Sequence, residues 1–254
     1  MSSRLESKVV IVTGGTSGMG LAVAHRLASE GAAVVLGARR KDVGEQAAAD
    51  VRAAGGRALF VPADVTVEED AATLVAAAVA EFGRLDGAFN NAGGMNAFGP
   101  VPTVDRGAWD ADIAQNLTSV FYCMKHQLPA ITASGGGGSI VNNASNLGVV
   151  GMPGVAAYVA AKHAVVGLTR ATALEVAEQG VRVNAIATGG VDTPLARATM
   201  LTSDEAHAHI ASLHPVNRIA QPAEIASFVA YLLSDEASFI TGAALAIDGG
   251  FTAR

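Results

Sequence analysis

Short apolar runs and longer amphipathic segments alternate along the chain. The runs are rich in Val, Ile and Ala, as in strands buried on both faces, whereas the segments between them carry apolar residues at helical spacing. The pattern predicts strands at 9–12, 33–37, 57–61, 86–89, 138–144, 182–186 and 243–247. It predicts helices at 21–27, 41–54, 71–82, 155–168 and 222–233. Alternating strands and helices are typical of an α/β fold with a parallel sheet.

The composition fits one well-packed domain that spans residues 1–254. Half of the residues are apolar, 16% are charged and 29 are glycine, which suits buried parallel strands joined by tight turns. The net charge is −6 and the basic residues are scattered, so no nucleic-acid surface is expected. No apolar run reaches the length of about 18 residues that a membrane span needs, and the first one is too short for a signal peptide. Because Cys123 is the sole cysteine, no intrachain disulfide can form, and the cytoplasm is the expected compartment.

A glycine-rich turn follows the first predicted strand and precedes the first predicted helix. It consists of Gly14, Gly15, Thr16, Ser17, Gly18, Met19 and Gly20. Glycines let a backbone turn tightly and approach a pyrophosphate, and the helix N-terminus behind them offers free N–H groups and a positive dipole end. Turns also use glycine for geometry alone. A turn in this position, with a second strand about twenty residues later, is nevertheless typical of a dinucleotide-binding unit.

The end of the second predicted strand indicates which dinucleotide is preferred. A protein that binds NAD(H) usually has an acidic residue there, which holds the ribose 2′-hydroxyl. Gly37 and Ala38 are followed instead by Arg39 and Arg40, and this combination leaves room for a 2′-phosphate and offers guanidinium groups to bind it. We therefore expect NADP(H), with NAD(H) as the alternative cofactor. The competing interpretation is that the two arginines merely open the next helix in solvent.

Asp64 and Val65 follow the third predicted strand and lie at the edge where a bound adenine is expected. Asp64 is placed to accept a hydrogen bond from the adenine amine. Its competing role is to cap the helix that begins near the acidic segment 68–70.

Ser145, Tyr158 and Lys162 carry the candidate chemistry. Tyr158 and Lys162 are four residues apart in an Ala- and Val-rich segment that is predicted to be helical, so they share one face. A phenol with a pKa of about 10 is a poor acid or base near neutral pH, and a neighbouring ammonium is expected to lower that pKa. Ser145 follows a predicted strand, at the edge where ligands collect. The same Tyr–Lys spacing also occurs in helices where both residues only pack.

Four motifs together resemble the signature set of the short-chain dehydrogenase/reductase family: Thr13-Gly-x-x-x-Gly18-x-Gly20, Asn90-Asn91-Ala92-Gly93, Ser145 and Tyr158-x-x-x-Lys162. The match spans essentially the whole chain. The resemblance implies a three-layer, doubly wound Rossmann fold, a seven-stranded parallel sheet with helices on both faces, and a homotetramer. The predicted cofactor contacts are Gly14, Thr16, Ser17, Gly18, Met19, Gly20, Arg39, Arg40, Asp64, Val65, Asn91, Ala92, Gly93, Tyr158, Lys162, Val191 and Thr193.

The resemblance also adds residues that local sequence does not single out. Asn116 matches a fourth catalytic position, whose main chain, at a local helix distortion, holds a water that links Lys162 to solvent. Thr188 stands where the family usually has proline, and loss of the ring predicts a more mobile loop. Val191 and Thr193 match positions that contact the carboxamide and the phosphates of the cofactor.

Residues 194–214 resemble the family's variable substrate lid, and 94–101 and 147–154 are expected to line the pocket with it. The lid carries apolar residues that favour a small, largely apolar substrate: Leu195, Met200, Leu201, Ile210 and Leu213. It also carries His207, His209 and His214. Histidines two residues apart point to different helix faces and no thiolate accompanies them, so a solvated face is expected rather than a metal site.

The sequence thus predicts an NADP(H)-dependent oxidoreductase that interconverts a ketone and a secondary alcohol without a metal. The cofactor carries the hydride, Tyr158 the proton, and Ser145 positions the carbonyl. The main alternative is a 3-oxoacyl-thioester reductase acting on acyl carrier protein or CoA, for which Arg197 and Arg218 are the candidate basic residues. A non-catalytic dinucleotide sensor would not need the three catalytic groups together. A sugar-nucleotide epimerase or dehydratase would need a larger C-terminal region.

Overall fold

Seven parallel strands form one sheet at the centre of the computed structural model, which describes residues 3–253. The strands are β1 (Val9–Thr13), β2 (Ala33–Ala38), β3 (Arg57–Pro62), β4 (Gly87–Asn90), β5 (Gly138–Asn143), β6 (Val181–Thr188) and β7 (Ala244–Ile247). Their order across the sheet is β3-β2-β1-β4-β5-β6-β7. The chain therefore winds outward from β1 in both directions. This reversal opens a crevice beyond the carboxyl ends of β1 and β4, where ligands of such sheets bind.

Helices connect the strands and cover both faces of the sheet. They are α1 (Gly18–Ser29), α2 (Lys41–Ala53), α3 (Glu68–Phe82), α4 (Arg106–Ile113), α5 (Ser119–Ala133), α6 (Ala156–Val176), α7 (Pro194–Thr199), α8 (Asp204–Ser212) and α9 (Pro222–Leu233). A wider, π-type turn at Ala114–Thr118 joins α4 to α5. Across residues 3–253, no helix combines the length and the apolar character that crossing a bilayer requires.

The core lies in two layers because successive strand residues face opposite sides of the sheet. Val10 and Val12 of β1 pack in one apolar cluster with residues of α1, α2 and α9. Val9 and Ile11 pack in the other cluster with residues of α3, α5 and α6. Both faces of the sheet are thus covered, which explains why the strands are mostly apolar. The predicted three-layer, doubly wound fold is confirmed.

Two element boundaries near the sheet's carboxyl edge bear on the site. Thr188 was predicted to lie in a loop, but it is the last residue of β6 and pairs with Ile247 of β7. Ser145 follows β5 by two residues and has a φ of 71°, in the left-handed region that few residues other than glycine adopt. The backbone therefore turns sharply away from the sheet at Ser145.

Candidate active site

A cavity of about 290 Å³ opens at the carboxyl edge of the sheet. Its floor comes from the ends of the central strands, and one wall comes from the glycine-rich turn before α1. The opposite wall is largely apolar and includes Leu147, Met152, Leu195, Met200, Ile210, Leu213 and Phe251. The three predicted pocket segments all contribute lining residues, whereas Phe251, near the C-terminus, was not anticipated.

The glycine-rich turn fits a dinucleotide phosphate. A Cβ atom on Gly20 would lie 2.3 Å from the Gly14 carbonyl oxygen, and one on Gly18 would lie 3.1 Å from the Thr193 side chain. Gly14 and Gly18 also have φ values of 64° and 51°. Only glycine suits these positions, and the turn brings the N-terminus of α1 to the cavity.

Most predicted cofactor residues lie on this cavity, and six do not. Those that line it are Gly14, Ser17, Gly18, Met19, Asn91, Ala92, Gly93, Tyr158, Lys162, Val191 and Thr193. Thr16, Gly20 and Val65 are buried beside it, whereas Arg39 and Arg40 are exposed beyond the end of β2. Because the Gly14 N–H donates to the Gly37 carbonyl at 2.8 Å, the glycine turn is tied to the strand that carries Arg39.

Asp64 does not cap α3, as the competing interpretation held. The helix begins at Glu68 after Val67, which is its N-cap residue. The Asp64 carboxylate instead accepts from the Thr66 hydroxyl at 2.7 Å and from the Thr66 N–H at 3.1 Å, because the chain turns before the helix starts. The half-buried Asp64 side chain thus stabilises this turn and is not the N-cap residue of α3.

Tyr158 and Ser145 are brought together by the turn after β5 and the first turn of α6. The Ser145 hydroxyl lies close enough to the Tyr158 phenol to influence its pKa, and both side chains line the cavity. Burial raises the pKa of Tyr158, the Ser145 hydroxyl lowers it to a smaller extent, and the negative charge of Asp112 adds a further increase; the net direction is upward. The phenol is therefore held in its protonated form near neutral pH. Ser145 also donates to Asn146 Oδ1 at 3.1 Å, which fixes its side chain.

The expectation that Lys162 lowers the pKa of Tyr158 is wrong for the protein without its cofactor. The Lys162 ammonium lies 5.4 Å from the centre of the Tyr158 ring, and the net shift of the Tyr158 pKa is upward. The ammonium donates to the Asn143 main-chain carbonyl at 2.7 Å. Burial also lowers the pKa of Lys162 from 10.5 to about 8, which weakens its charge.

Asn116 lies at the centre of the π-type turn, so the predicted helix distortion is confirmed. Its side chain is fully buried, donates to the Gly94 carbonyl at 2.9 Å, and accepts from the Gly94 N–H at 3.2 Å. A Cβ atom on Gly93 would lie 2.7 Å from Asn116 Oδ1 and 3.7 Å from Lys162 Nζ. The turn thus holds the segment after β4 close to Lys162.

His214 lies inside the protein, and the prediction of a solvated face is wrong for this residue. His207 and His209 are exposed as expected, but His214 is 4% exposed and lines the cavity. Its Nε2 accepts from the Gly190 N–H at 2.9 Å, and its Nδ1 faces the Ile210 carbonyl at 2.8 Å. Since an amide only donates and a carbonyl only accepts, the ring is neutral with its proton on Nδ1. Among residues 3–253, no three acidic, histidine or cysteine side chains form a metal site.

The chain is similar to known proteins along nearly its whole length. A family model described as enoyl-(acyl carrier protein) reductase matches residues 14–252. The 2,5-dichloro-2,5-cyclohexadiene-1,4-diol dehydrogenase of Sphingobium indicum is 45% identical over 251 residues, which are 99% of each chain. The cyclohexanol dehydrogenase of Acinetobacter sp. strain SE19 is 40% identical over 254 residues, covering 100% of this chain and 98% of the relative. The crystal structure of levodione reductase has a TM-score of 0.94 and 38% identity, and the match covers 98% of this chain and 99% of that one.

The chain belongs to the short-chain dehydrogenase/reductase family. The fold of short-chain dehydrogenases/reductases implies a nicotinamide dinucleotide cofactor, which the glycine turn and the cavity can accommodate. The chain is therefore an oxidoreductase that acts on CH–OH and C=O groups. The two relatives that are named above act, by their names, on six-membered carbocycles.

Proposed function

We propose that the protein is an NADP(H)-dependent oxidoreductase that interconverts a small, uncharged cyclic ketone and its secondary alcohol. One observation carries this proposal: the side chains of Ser145, Tyr158 and Lys162 line the same cavity as the glycine turn. A bound nicotinamide supplies or accepts the hydride. The protein's own groups then have to position the carbonyl and move one proton.

Tyr158 is assigned as the acid/base. Its raised pKa keeps the phenol protonated, so in the reductive direction it can donate to the carbonyl oxygen. Ser145 is assigned to hold that oxygen by a hydrogen bond, which is a positioning and electrostatic role. Lys162 is still mostly an ammonium at pH 7 and lines the same cavity, so its charge is available to a bound cofactor. We also assign Lys162 to the nicotinamide ribose, and the main chain at Asn116 to a water that connects Lys162 with solvent.

The preference for NADP(H) is proposed from the surface beyond β2. Ala38, at the end of the strand, offers no carboxylate that would repel a 2′-phosphate. Arg39 and Arg40 are both exposed, and within residues 3–253 neither forms an ion pair with an acidic side chain. Two unpaired guanidinium groups are thus available at the position where a 2′-phosphate would lie.

The cavity supports a small apolar substrate. Lys162 is the one charged side chain among its described lining residues, and His214 is neutral. A charged substrate group would therefore find no counterion apart from the catalytic lysine, whereas an uncharged ring would be covered by the apolar wall. The carbocyclic substrates in the names of the relatives agree with this choice.

A 3-oxoacyl-thioester reductase is the second candidate. The description of the matching family model shares the acyl carrier protein with it, although an enoyl reductase reduces C=C rather than C=O. The two cations that a 3-oxoacyl-thioester reductase would need are engaged elsewhere. Arg197 pairs with Asp192 at 2.6 Å, and Arg218 pairs with Glu224 at 2.7 Å. Neither is free to bind the phosphates of a phosphopantetheine carrier, so we rank this activity lower. A non-catalytic dinucleotide sensor ranks lower still, since it would not require the Ser145–Tyr158 pair.

Oxidation of NADPH and of NADH, measured against cyclohexanone, an open-chain ketone and acetoacetyl-CoA, tests the proposal. We expect the highest kcat/KM with NADPH and the cyclic ketone. A preference for acetoacetyl-CoA would support the second candidate, and cofactor binding without turnover of any substrate would support the sensor. Residues 1–254 as one domain, residues 194–214 as the lid, the cytoplasmic location and the homotetramer remain predictions. Light scattering on the purified protein tests the homotetramer.

A further inference from the structure

Four polar residues form a continuous row across the carboxyl ends of β1, β4, β5 and β6. Asn91 Nδ2 donates to the Thr13 carbonyl at 3.1 Å. Asn143 Nδ2 donates to Asn91 Oδ1 at 3.3 Å, and the Thr188 hydroxyl donates to Asn143 Oδ1 at 3.2 Å. The row therefore connects strands on both sides of the crevice, and Asn91, Asn143 and Thr188 line the cavity.

The row has a single self-consistent direction. The Thr13 carbonyl can only accept, so Asn91 must present its amide nitrogen to Thr13 and its oxygen to Asn143. Asn143 must then donate to Asn91 and present its own oxygen to β6. A hydroxyl at position 188 satisfies that oxygen, which lies on a residue that is only 8% exposed. A buried acceptor without this partner would cost a lost hydrogen bond.

This geometry gives a reason for threonine at position 188, where the family usually has proline. A proline could not donate to Asn143, so the threonine and the asparagine act as a matched pair. The loop that follows β6 is also held at the Gly190 N–H by His214 and by a short parallel bridge between Val191 and Ala220. These contacts oppose the loop mobility that the sequence predicts.

Asn143 connects the row to two candidate catalytic residues. Strand β4 ends at Asn90, which pairs with Asn142, so the Asn143 carbonyl lies beyond the last pair. Lys162 Nζ donates to that carbonyl at 2.7 Å. The chain then makes its strained turn at Ser145, two residues later. A shift in the backbone of Asn143 would thus move both the carbonyl that accepts from Lys162 and the start of the turn that carries Ser145.

We propose that the side-chain bridge between Thr188 and Asn143 is a positioning device that fixes Lys162 and Ser145 for catalysis. Neither Thr188 nor Asn143 is assigned a proton or a bond to the substrate. Their effect on the reaction passes through the Asn143 main chain. The catalytic part of this inference rests on the proposed function, whereas the effect on Lys162 concerns the protein alone.

Three variants test the device. Thr188→Val removes the hydroxyl and keeps the shape, and Thr188→Ser keeps the hydroxyl. Thr169→Val is the matched control, because the buried Thr169 hydroxyl accepts from Asn142, the neighbouring residue of β5, at 3.0 Å and does not line the cavity. One readout is the separate change in kcat and KM for the best ketone. The other is the rate at which acetic anhydride acetylates Lys162 in the cofactor-free protein, followed by peptide mass spectrometry.

We expect Thr188→Val to lower kcat about fivefold with KM within about twofold, and to speed acetylation of Lys162 by a similar factor, since one neutral hydrogen bond is lost. Thr188→Ser and Thr169→Val should match the wild type in both readouts. Equal behaviour of Thr188→Val and Thr169→Val, or failure of Thr188→Ser to restore the wild-type values, would overturn the proposal. If the wild type reduces no ketone, the proposed function fails, and the acetylation rates alone decide whether the bridge positions Lys162.

Discussion

Replacement of Lys162 with methionine should stabilise the cofactor-free protein at pH 7, although it removes a candidate catalytic group. Lys162 is 3% exposed, and burial lowers its pKa from 10.5 to about 8. In the unfolded chain the same ammonium is hydrated and has its ordinary pKa. Since a factor of ten in a proton equilibrium is about 1.4 kcal/mol, the buried charge costs the folded state about 3 kcal/mol at pH 7.

The expected gain is smaller than this cost because the substitution also removes a hydrogen bond. Lys162 donates to the Asn143 carbonyl at 2.7 Å, and loss of that bond costs about 1 kcal/mol. Methionine is flexible and apolar, so it can fill most of the vacated space. The free energy of unfolding should therefore rise by about 2 kcal/mol, which in a protein of this size raises Tm by about 4–8 °C.

The pH dependence identifies the cause. Because the folded-state pKa lies below the unfolded one, the cost is complete below pH 8 and disappears as the pH rises toward 10.5. Urea unfolding followed by circular dichroism should thus give a difference of about 2 kcal/mol at pH 7 and about zero at pH 10. Lys41→Met, at an exposed lysine, should change stability little at either pH. A Lys162→Met variant that is less stable than the wild type at pH 7, or a difference independent of pH, would refute this account of the buried charge.

Two further substitutions test the cofactor assignment. Arg39→Ala should raise KM for NADPH about tenfold or more and leave KM for NADH unchanged, because one charge-assisted contact to the 2′-phosphate is lost. Arg52→Ala, at an exposed arginine in the following helix α2, serves as the control, and unchanged KM values for NADPH and NADH in Arg39→Ala would contradict the assignment. His214→Phe keeps an aromatic ring beside Phe251 but leaves the Gly190 N–H without its acceptor, so KM for NADPH should rise about tenfold. An unchanged cofactor KM in this variant would show that the Gly190 loop does not depend on His214.

The strands, the glycine turn and the Tyr158–Lys162 pair could be predicted because each is determined by residues that are close together in the sequence. Apolar strands have their own period, glycine marks the backbone positions that need it, and residues four apart in a helix must share a face. The crevice then followed from the doubly wound topology that the family resemblance implied. These features needed no knowledge of which distant residues meet.

The errors arose where tertiary contacts decide. His214 follows two exposed histidines in sequence. That spacing does not show that the His214 ring is buried and accepts a hydrogen bond from the Gly190 N–H. Helical spacing predicted that Lys162 lowers the pKa of Tyr158, but the Lys162 ammonium donates to the Asn143 carbonyl at the end of β5 and is itself buried. Asn143 was not predicted as a site residue, since a polar residue at the end of a strand has no distinctive local pattern. Its partner Thr188 was identified only because the family usually has proline at that position.

The most direct test of the central claim is turnover of the best ketone by Tyr158→Phe with NADPH. The variant keeps the ring and its packing but loses the hydroxyl next to Ser145 in the cavity. Fluorescence titration should show NADPH binding within about threefold of the wild type, while kcat falls by about 10² or more, as expected for loss of a general acid. Wild-type turnover by this variant would contradict the assignment of Tyr158 as the proton donor.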